Sequence, residues 1–380
     1  RSGDPTVVVP EVARAVRADA VLASADVTPF SRKRDSAVAD ALAREGRTLE
    51  LREGLLLVDP EHVRTGAGRP YAVFTPFWRK LQREPRRQLL PAPTAVPTTP
   101  EHLRGSPEPT AEAPPSSDLP APGEAGALER LDRWIADGLA RYDSGREILD
   151  GSGTSRLGAD LHFGTLSPLP VEAAANELGS EAEAFTRQLA WRELYHHHLH
   201  HQAREPRGPS NLASAFRTEA ADPVAVAAWR EGSTGIPTVD AAMRQLAATG
   251  WMSNRARLIT ASFLTRHLLM DWRIGERHFM AHLIDGDVAN NRGGWEWSAG
   301  VGLDAQPWFR ILNPVRQGQR FDPDGEWVRR WVPELADVPN RFIHAPWESA
   351  EPVPSYPPPI VDLAEARARA LAAFRAATQR

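Results

Sequence analysis

Cysteine is absent from the 380-residue chain. That absence excludes disulfides, thiolate nucleophiles, Cys-ligated zinc and iron–sulfur clusters together. No run of eighteen apolar residues occurs, so no transmembrane helix is expected. A secretory signal pattern is also missing from the start. Arg1 stands where a methionine is expected, and a missing N-terminal piece is inferred. Lysine is reduced to Lys33 and Lys80, and tyrosine to 4 residues. Basic and acidic residues, 45 against 49, leave a net charge of −4, which excludes a histone-like polycation. Any nucleic-acid contact must then be a local patch built from arginine, with salt-sensitive binding. A Gly-rich phosphate fingerprint, a Ser-His-Asp arrangement and an internal repeat are all missing. What the chain has in excess is tryptophan, 12 residues with ten of them beyond position 190, and clustered proline, 34 residues. Indoles fill cores, stack on planar ligands or carry electrons; composition by itself favours the first.

Residues 1–90 alternate helix and strand. Asp4-Pro5 supplies a cap and a first-turn proline, predicting a helix near 5–17. ADAVLAS (18–24) reads as a buried strand, SRKRDSAVADALAREG (31–46) as a helix closed by Gly46, and TLELREGLLLV (48–58) as a second strand. This rhythm predicts a parallel sheet, although the first strand–helix unit of a doubly wound fold is absent. Residues 91–126 are rich in Pro, Ser, Thr, Ala and Glu and read as a linker. Beyond it the pattern is helical, at 127–142, 169–178, 181–201, 223–231, 238–249, 251–270, 275–284 and 362–378.

Five segments carry candidate chemistry. In GSGTSRLGADLHFGTLSP (151–168), Thr154, Ser155 and the following N–H groups suit a phosphate, or else simply cap a helix after a loop. On 186–199, Gln188, Trp191, Arg192 and Tyr195 share one helical face; on 251–258, Trp251, Asn254, Arg255 and Leu258 repeat the spacing. Such faces are too polar for a core and too aromatic for a solvated surface. They suit a planar, phosphate-bearing ligand such as a nucleotide, with a partly exposed, ion-paired helix as the bland reading. LIDGDVANNRGGWEWSAG (283–300) is the densest segment: Asp285 and Asp287 flank Gly286, and Asn290, Asn291, Trp295 and Trp297 follow. It suits a loop that ties down a cofactor by carboxylate and amide groups, with Arg257 as partner of Asp285; a cation site lacks further carboxylates. YHHHLHH (195–201) places His197 and His201, and His196 and His200, one helical turn apart. Without carboxylate or Cys support it reads as a surface cluster, and no metal is expected.

TSRL, RQLAWRELY, FIHAPW and the long run GIPTVDAAMRQLAATGWMSNRARLITASFLTRHLLMDWRIGERHFMAHLIDGDVANNRGGWEWSAGVGLDAQPWFRILNP closely resemble the photolyase/cryptochrome family, nearest its class I cyclobutane pyrimidine dimer photolyases. The resemblance runs from about residue 3 to the end and is most specific over 150–347. It implies an α/β N-terminal part (a truncated Rossmann-like parallel sheet) plus an all-α FAD-binding photolyase domain. The division expected is 1–90 partial antenna domain, 91–126 Pro-rich linker and 127–380 helical FAD-binding and DNA-lesion domain. The activity implied is a carbon–carbon lyase reaction. Reduced FAD absorbs blue light and donates an electron to a cyclobutane dimer flipped out of DNA, the ring bonds split and the electron returns. Dimer-bearing DNA is the expected partner, the chain is expected to be monomeric with no membrane contact, and the location is cytoplasmic, nucleoid-associated on damaged DNA.

Site residues follow from the resemblance one by one. Tyr142, Thr154, Ser155, Arg156, Leu157, Gly158 and Arg192 match FAD contacts, as do Arg257, Asp285, Gly286 and Asp287. Asn291 matches the residue facing flavin N5, where a neutral amide suits reversible one-electron chemistry. Gln188, Trp191, Tyr195, Asn254, Arg255, Leu258, Trp297 and Gln317 match lesion and DNA contacts, with Trp191 and Trp297 sandwiching the flipped bases. Trp295 and Trp272 match the first two members of a photoreduction relay. The catalytic set is thus Asn291, Trp295, Trp272, Arg257 and Asp285.

Four departures stand out. The third relay tryptophan should lie about ten residues before Trp229, where Glu219 and Ala220 stand, so the relay is expected to stop at two or to use another exit. Gln188 replaces a frequent Glu, and Leu258 a frequent Met. Arg69 holds the position of an antenna-folate carboxylate. The pattern GRPYAVFTPFW points to a deazaflavin-type antenna rather than folate, though neither is assured a site in a truncated chain. A cryptochrome-like blue-light sensor without repair activity is the alternative function. Asn254-Arg255 and Trp297 favour dimer repair over (6-4) repair.

Overall fold

The computed structural model describes residues 1–103, 105, 119–202, 215–305, 307, 310–351 and 353–378. The chain opens with α1 (Pro5–Ala15), whose cap Asp4 accepts from the Thr6 N–H at 2.8 Å, as the Asp-Pro pair predicts. β1 (Ala20–Ser24) pairs in parallel with β2 (Thr48–Arg52) in the register Ala20↔Thr48, and α2 (Pro29–Ala43) makes the crossover. β2 is shorter than the expected 48–58. The Leu57 N–H is taken by Glu193 Oε2 at 2.9 Å instead of a strand neighbour, so the apolar run 55–58 leaves the sheet and packs on the helical part. α3 (Phe74–Leu81) closes the N-terminal part, burying Phe74, Phe77, Trp78 and Leu81.

Residues 104 and 106–118 of the expected linker 91–126 lie outside the described residues; helix begins before its expected end, with α4 (Gly123–Arg133). The single helix expected over 127–142 is instead α4, a π-turn at Trp134–Gly138 and a 3-10 turn at Leu139–Arg141. The Trp134 ring crosses Gly138 so closely that a Cβ there would lie 2.2 Å away, so the helix widens to let the indole into the core. Then come α5 (Tyr142–Gly145), α6 (Gly158–Phe163), α7 (Pro168–Asn176) and the long α8 (Glu183–Gln202). α9 (Pro223–Glu231), α10 (Pro237–Thr249), α11 (Asn254–Ser262), α12 (Trp272–His282) and α13 (Val288–Ala299) follow. α14 (Pro314–Phe321), α15 (Glu326–Trp331) and α16 (Leu363–Thr378) complete the chain.

The helix expected over 251–270 starts later and ends earlier. Ser253 caps α11 by accepting from the Ala256 N–H at 3.3 Å, which leaves Trp251 in the preceding extended segment. A π-turn at Phe263–His267 ends it, before Leu269 at φ +54°. The main core lies among α9 to α15 around Trp229, Phe263 and Phe279. A second core joins the N-terminal run 57–81 to α8 through Leu57, Phe77, Leu81, Ala190 and Leu194. Among the described residues no helix is long and apolar enough to cross a membrane.

Candidate functional site

α8, α11 and α12 all pack on α13, and where they diverge a cavity of about 450 Å³ opens. Gln188, Trp191, Arg192 and Tyr195 of α8 line it, as do Asn254, Arg257 and Leu258 of α11 and Asn291, Trp295 and Trp297 of α13. The helical face read from the spacing of α8 is therefore the cavity wall. An adjoining lobe of about 250 Å³ is lined by Tyr142, Thr154, Ser155, Leu157, Gly158 and His162, and shares Arg192, Arg257, Asp285 and Asp287 with the first. The two together have the size and polar–apolar mixture of a cofactor site.

The shared wall carries the charges. Arg257 Nη2 reaches Asp285 Oδ1 and Oδ2 at 3.0 and 2.8 Å, and its Nε donates to the Met252 carbonyl at 2.9 Å. Gly158 lies so close to this pair that a Cβ would meet Asp285 Oδ2 at 2.8 Å, which is why no side chain is tolerated there. Asp287 caps α13, accepting from the Asn290 N–H and Nδ2 at 2.7 Å each. Its other oxygen stands 3.2 Å from His196 Nε2 and 3.7 Å from His162 Nδ1. Burial raises the Asp287 carboxyl, but the charge of His196 and the hydrogen bonds of His162, His196 and Asn290 outweigh it and hold the group well below the carboxylate range. Asn291 Nδ2 donates to the Glu276 carbonyl at 2.9 Å, which fixes the amide. Arg192 is buried, donating to the Leu55 and Leu161 carbonyls at 2.9 and 3.4 Å.

The donor set fits a flavin dinucleotide. Thr154 and Ser155 line one lobe and the Arg257–Asp285 pair stands at the junction. In the other lobe Ala261, Phe279 and Leu283 present apolar surface beside the Asn291 amide. Two expected contacts fall elsewhere. Gly286 is not on either lining. Arg156, at φ +54°, lays its guanidinium 4.3 Å from the Trp251 ring, outside both lobes. Trp272, expected as the second relay indole and not as a contact, is buried at the start of α12. Trp295, 2% exposed, does face the cavity, with Phe279 5.0 Å and the fully buried Trp229 6.1 Å away.

Of the expected lesion contacts, Gln188, Trp191, Asn254, Leu258 and Trp297 line the open lobe. Tyr195 lies deeper, against Gly293, and burial pushes its phenol above the ordinary range. Arg255 and Gln317 stand off the lining. Arg255 pairs with Glu147, stacks on Phe321 at 4.8 Å and donates to Gln317 Oε1 at 3.3 Å. Trp251 is not part of the α11 face, because the helix begins after it. Residues that spacing did not reveal include Glu147, Phe279 and His162.

The histidine cluster is a correction. His196, His197, His200 and His201 are all buried, not on the surface, because the N-terminal part covers His200 and His201 with polar partners and His197 with the Phe77 ring, while His196 turns to Asp287. Glu61 accepts from His200 Nε2 at 2.7 Å, and Arg64 Nη2 lies 3.3 Å from His201 Nδ1. Glu61, His200 and His201 bring three potential ligand atoms within 4.8 Å of one another. However, Nδ1 of each imidazole faces a guanidinium, Arg32 for His200 and Arg64 for His201. In the neutral rings the proton then stands on Nε2, where that of His200 meets Glu61, an arrangement of a hydrogen-bonded junction rather than a cation site.

Burial pulls His201 and His267 each down to about 4. Their unfolded counterparts titrate near about 6.5. Between those values the unfolded chain binds the proton and the folded chain does not, so their stabilisation is complete above the higher value and is lost as pH falls toward the lower. The melting temperature is expected to drop between about pH 6.5 and 4. His201→Gln should flatten that drop; an unchanged slope in thermal melts of the variant would overturn the assignment to His201.

Two family profiles match the chain: "DNA photolyase" over residues 1–98 and "FAD binding domain of DNA photolyase" over residues 185–376. A deoxyribodipyrimidine photo-lyase of Streptomyces griseus is 42% identical, over 97% of this chain and 82% of that protein. One of Escherichia coli is 41% identical over 85% of this chain and 71% of its own length. Among solved structures, a class III photolyase from Agrobacterium tumefaciens superposes with TM-score 0.86 at 37% identity, covering 100% of this chain and 83% of that one. A cryptochrome of Synechocystis sp. superposes with TM-score 0.81 at 28% identity, over 97% and 82%. With both profiles matched and such identity across nearly the whole length, the chain belongs to the DNA photolyase family.

Proposed function

We propose that this chain is an enzyme that repairs cyclobutane pyrimidine dimers in DNA, driven by blue light through bound FAD. The observation that carries the reading is that one cavity holds both the Arg257–Asp285 pair and the two indoles Trp191 and Trp297. The photo-lyase relatives support it. Reduced FAD would supply the photoexcited electron that cleaves the dimer.

The chain's own residues do the rest. Arg257 and Asp285, already paired, offer one cationic and one acidic edge to the cofactor, with Thr154 and Ser155 toward its phosphates. Asn291 commits one of its two amide N–H groups to the Glu276 carbonyl, which fixes the amide and leaves Oδ1 and the second N–H to meet the cofactor. A carboxamide stays neutral and can accept or donate a hydrogen bond without giving up a proton, so electron and proton transfer stay uncoupled there. Ala261, Phe279 and Leu283 exclude water and lower the local dielectric. Trp191 and Trp297 present flat apolar faces that a base reaches only after leaving its stack. Gln188 adds a neutral hydrogen-bonding group on both lobes. Arg146 at the cavity and Arg255 beside it begin the arginine rim that takes the place of lysine. For reduction of the cofactor, Trp295 is the first relay indole, and Trp229 meets it edge to face with ring centroids 6.1 Å apart.

We also read residues 1–90 as an antenna-type part, 91–126 as a linker and 127–380 as the catalytic domain of a cytoplasmic monomer. A deazaflavin-type antenna is preferred to folate on the strength of Arg69 and the pattern GRPYAVFTPFW over 68–78. Blue illumination of the reduced, FAD-loaded protein with a dimer-containing oligonucleotide tests the main claim. Absorbance near about 260 nm should recover in the light and not in the dark. No recovery, with FAD bound and reduced, would favour the sensor reading, to which the likeness to a cryptochrome lends weight.

A further inference from the structure

We propose that Phe74 and Asp304 are positioning residues that hold the Trp191 indole in the plane on which an extruded base stacks. The proposal rests on the reading of Trp191 as a lesion wall.

Phe74 comes from the N-terminal part and touches neither lobe of the cavity, yet its ring lies 4.3 Å from that of Trp191 with an interplanar angle of 4°. Phe74 is 3% exposed, and the Arg187 guanidinium, one helical turn before Trp191 on α8, stands 5.1 Å from the same ring. One face of the indole is thus covered by protein while the residue still lines the cavity. A tryptophan side chain turns about two torsions, and a base that stacks on it must first stop that motion. A parallel ring already in contact removes most of it before the base arrives.

What holds Phe74 is equally specific. The cap position of α3, Val73, offers no side-chain acceptor. The Phe74 N–H instead donates to Asp304 Oδ2 at 3.1 Å, across 230 residues of sequence. The Asp304 N–H donates in return to the Ala72 carbonyl at 3.0 Å. Asp304 adopts φ +41°, a region that L-residues other than Asn and Asp seldom enter. It lies just beyond α13, the helix that carries Trp295 and Trp297. A strained residue therefore joins the end of one cavity helix to the start of α3, and α3 presses its first ring against the indole on α8. Phe77, Trp78 and Leu81 already bury the rest of α3 in the junction core, so packing of the two parts does not need an aromatic ring at position 74.

The test uses the purified, FAD-loaded full chain and two oligonucleotides of one sequence, with and without a thymine dimer, at one salt concentration. Phe74→Leu keeps apolar volume and removes the flat face. It should raise the Kd for dimer DNA about fivefold, equivalent to roughly 1 kcal/mol of lost stacking order. The Kd for undamaged DNA, the FAD content and the melting temperature should stay near those of the parent. Phe74→Tyr should restore dimer binding. Asp304→Ala should behave as Phe74→Leu does, and Asp304→Asn, whose amide oxygen can accept the same N–H, should restore it. Equal loss on both DNAs, or no loss in Phe74→Leu and Asp304→Ala while Trp191→Ala loses discrimination, would overturn the positioning role. If Trp191→Ala itself binds dimer DNA normally, the lesion-wall reading fails, and the proposal falls with it.

Discussion

Arg257→Ala protein is expected to emerge from purification nearly free of flavin. Arg257 lines both lobes of the cavity, makes two hydrogen bonds to Asp285 and anchors itself on the Met252 carbonyl. Its removal takes away the cation proposed to face the cofactor and leaves the Asp285 carboxylate, with only 12% of its side chain exposed, without its partner. Breaking a fully buried ion pair costs several kcal/mol; with Arg257 27% exposed, about 2 kcal/mol is a fair discount, or roughly thirtyfold in affinity. The check is flavin absorbance per mole of protein after gel filtration, with circular dichroism to show that the helices persist. Arg257→Lys should retain part of the load, since it keeps the charge and loses the two-point grip on the carboxylate. A full flavin load in Arg257→Ala would mean that the cofactor does not sit against this pair.

Trp297→Ala should abolish discrimination between damaged and undamaged DNA while leaving the flavin in place. Trp297 projects from α13 into the open lobe and is absent from the lining of the inner one, where Thr154, Ser155 and Gly158 stand. Stacking of a base on an aromatic residue contributes about 2 kcal/mol, so the Kd for dimer DNA should rise roughly thirtyfold. Binding to undamaged duplex, which depends on arginine–phosphate contacts, should change little and should keep its salt dependence. An oligonucleotide titration at two ionic strengths separates these terms. If dimer affinity survives the substitution, the indole is a core residue that happens to border the cavity.

Some of this was legible without coordinates because the signals are local. The Asp4-Pro5 start, the α8 face of Gln188, Trp191, Arg192 and Tyr195, and the Asp285-Gly286-Asp287 loop all depend on spacing within a few residues, and each lies where that spacing puts it. The resemblance added the meaning of those faces, and the cavity then gathered most of the residues it implied. The linkage of Asp285 to Arg257 was accessible because each stood in a segment already marked as unusual.

Other features escaped because their partners lie far along the chain. The Tyr195–His201 stretch is polar and reads as surface, yet Glu61, 139 residues before His200, covers it. The tail of β2 reads as strand, yet Glu193 captures the Leu57 N–H and draws the run into the junction. Trp251 has the spacing of the α11 face, yet Ser253 begins the helix after it and Arg156 stacks on the stranded indole. Sequence alone determined which segments are helical, which faces are too aromatic to be solvated and too charged to be core, and so where a flat polar ligand would be met. Tertiary structure decided which of those faces turn toward one another, because burial of a charge or fixing of an indole depends on a partner that no local periodicity encodes.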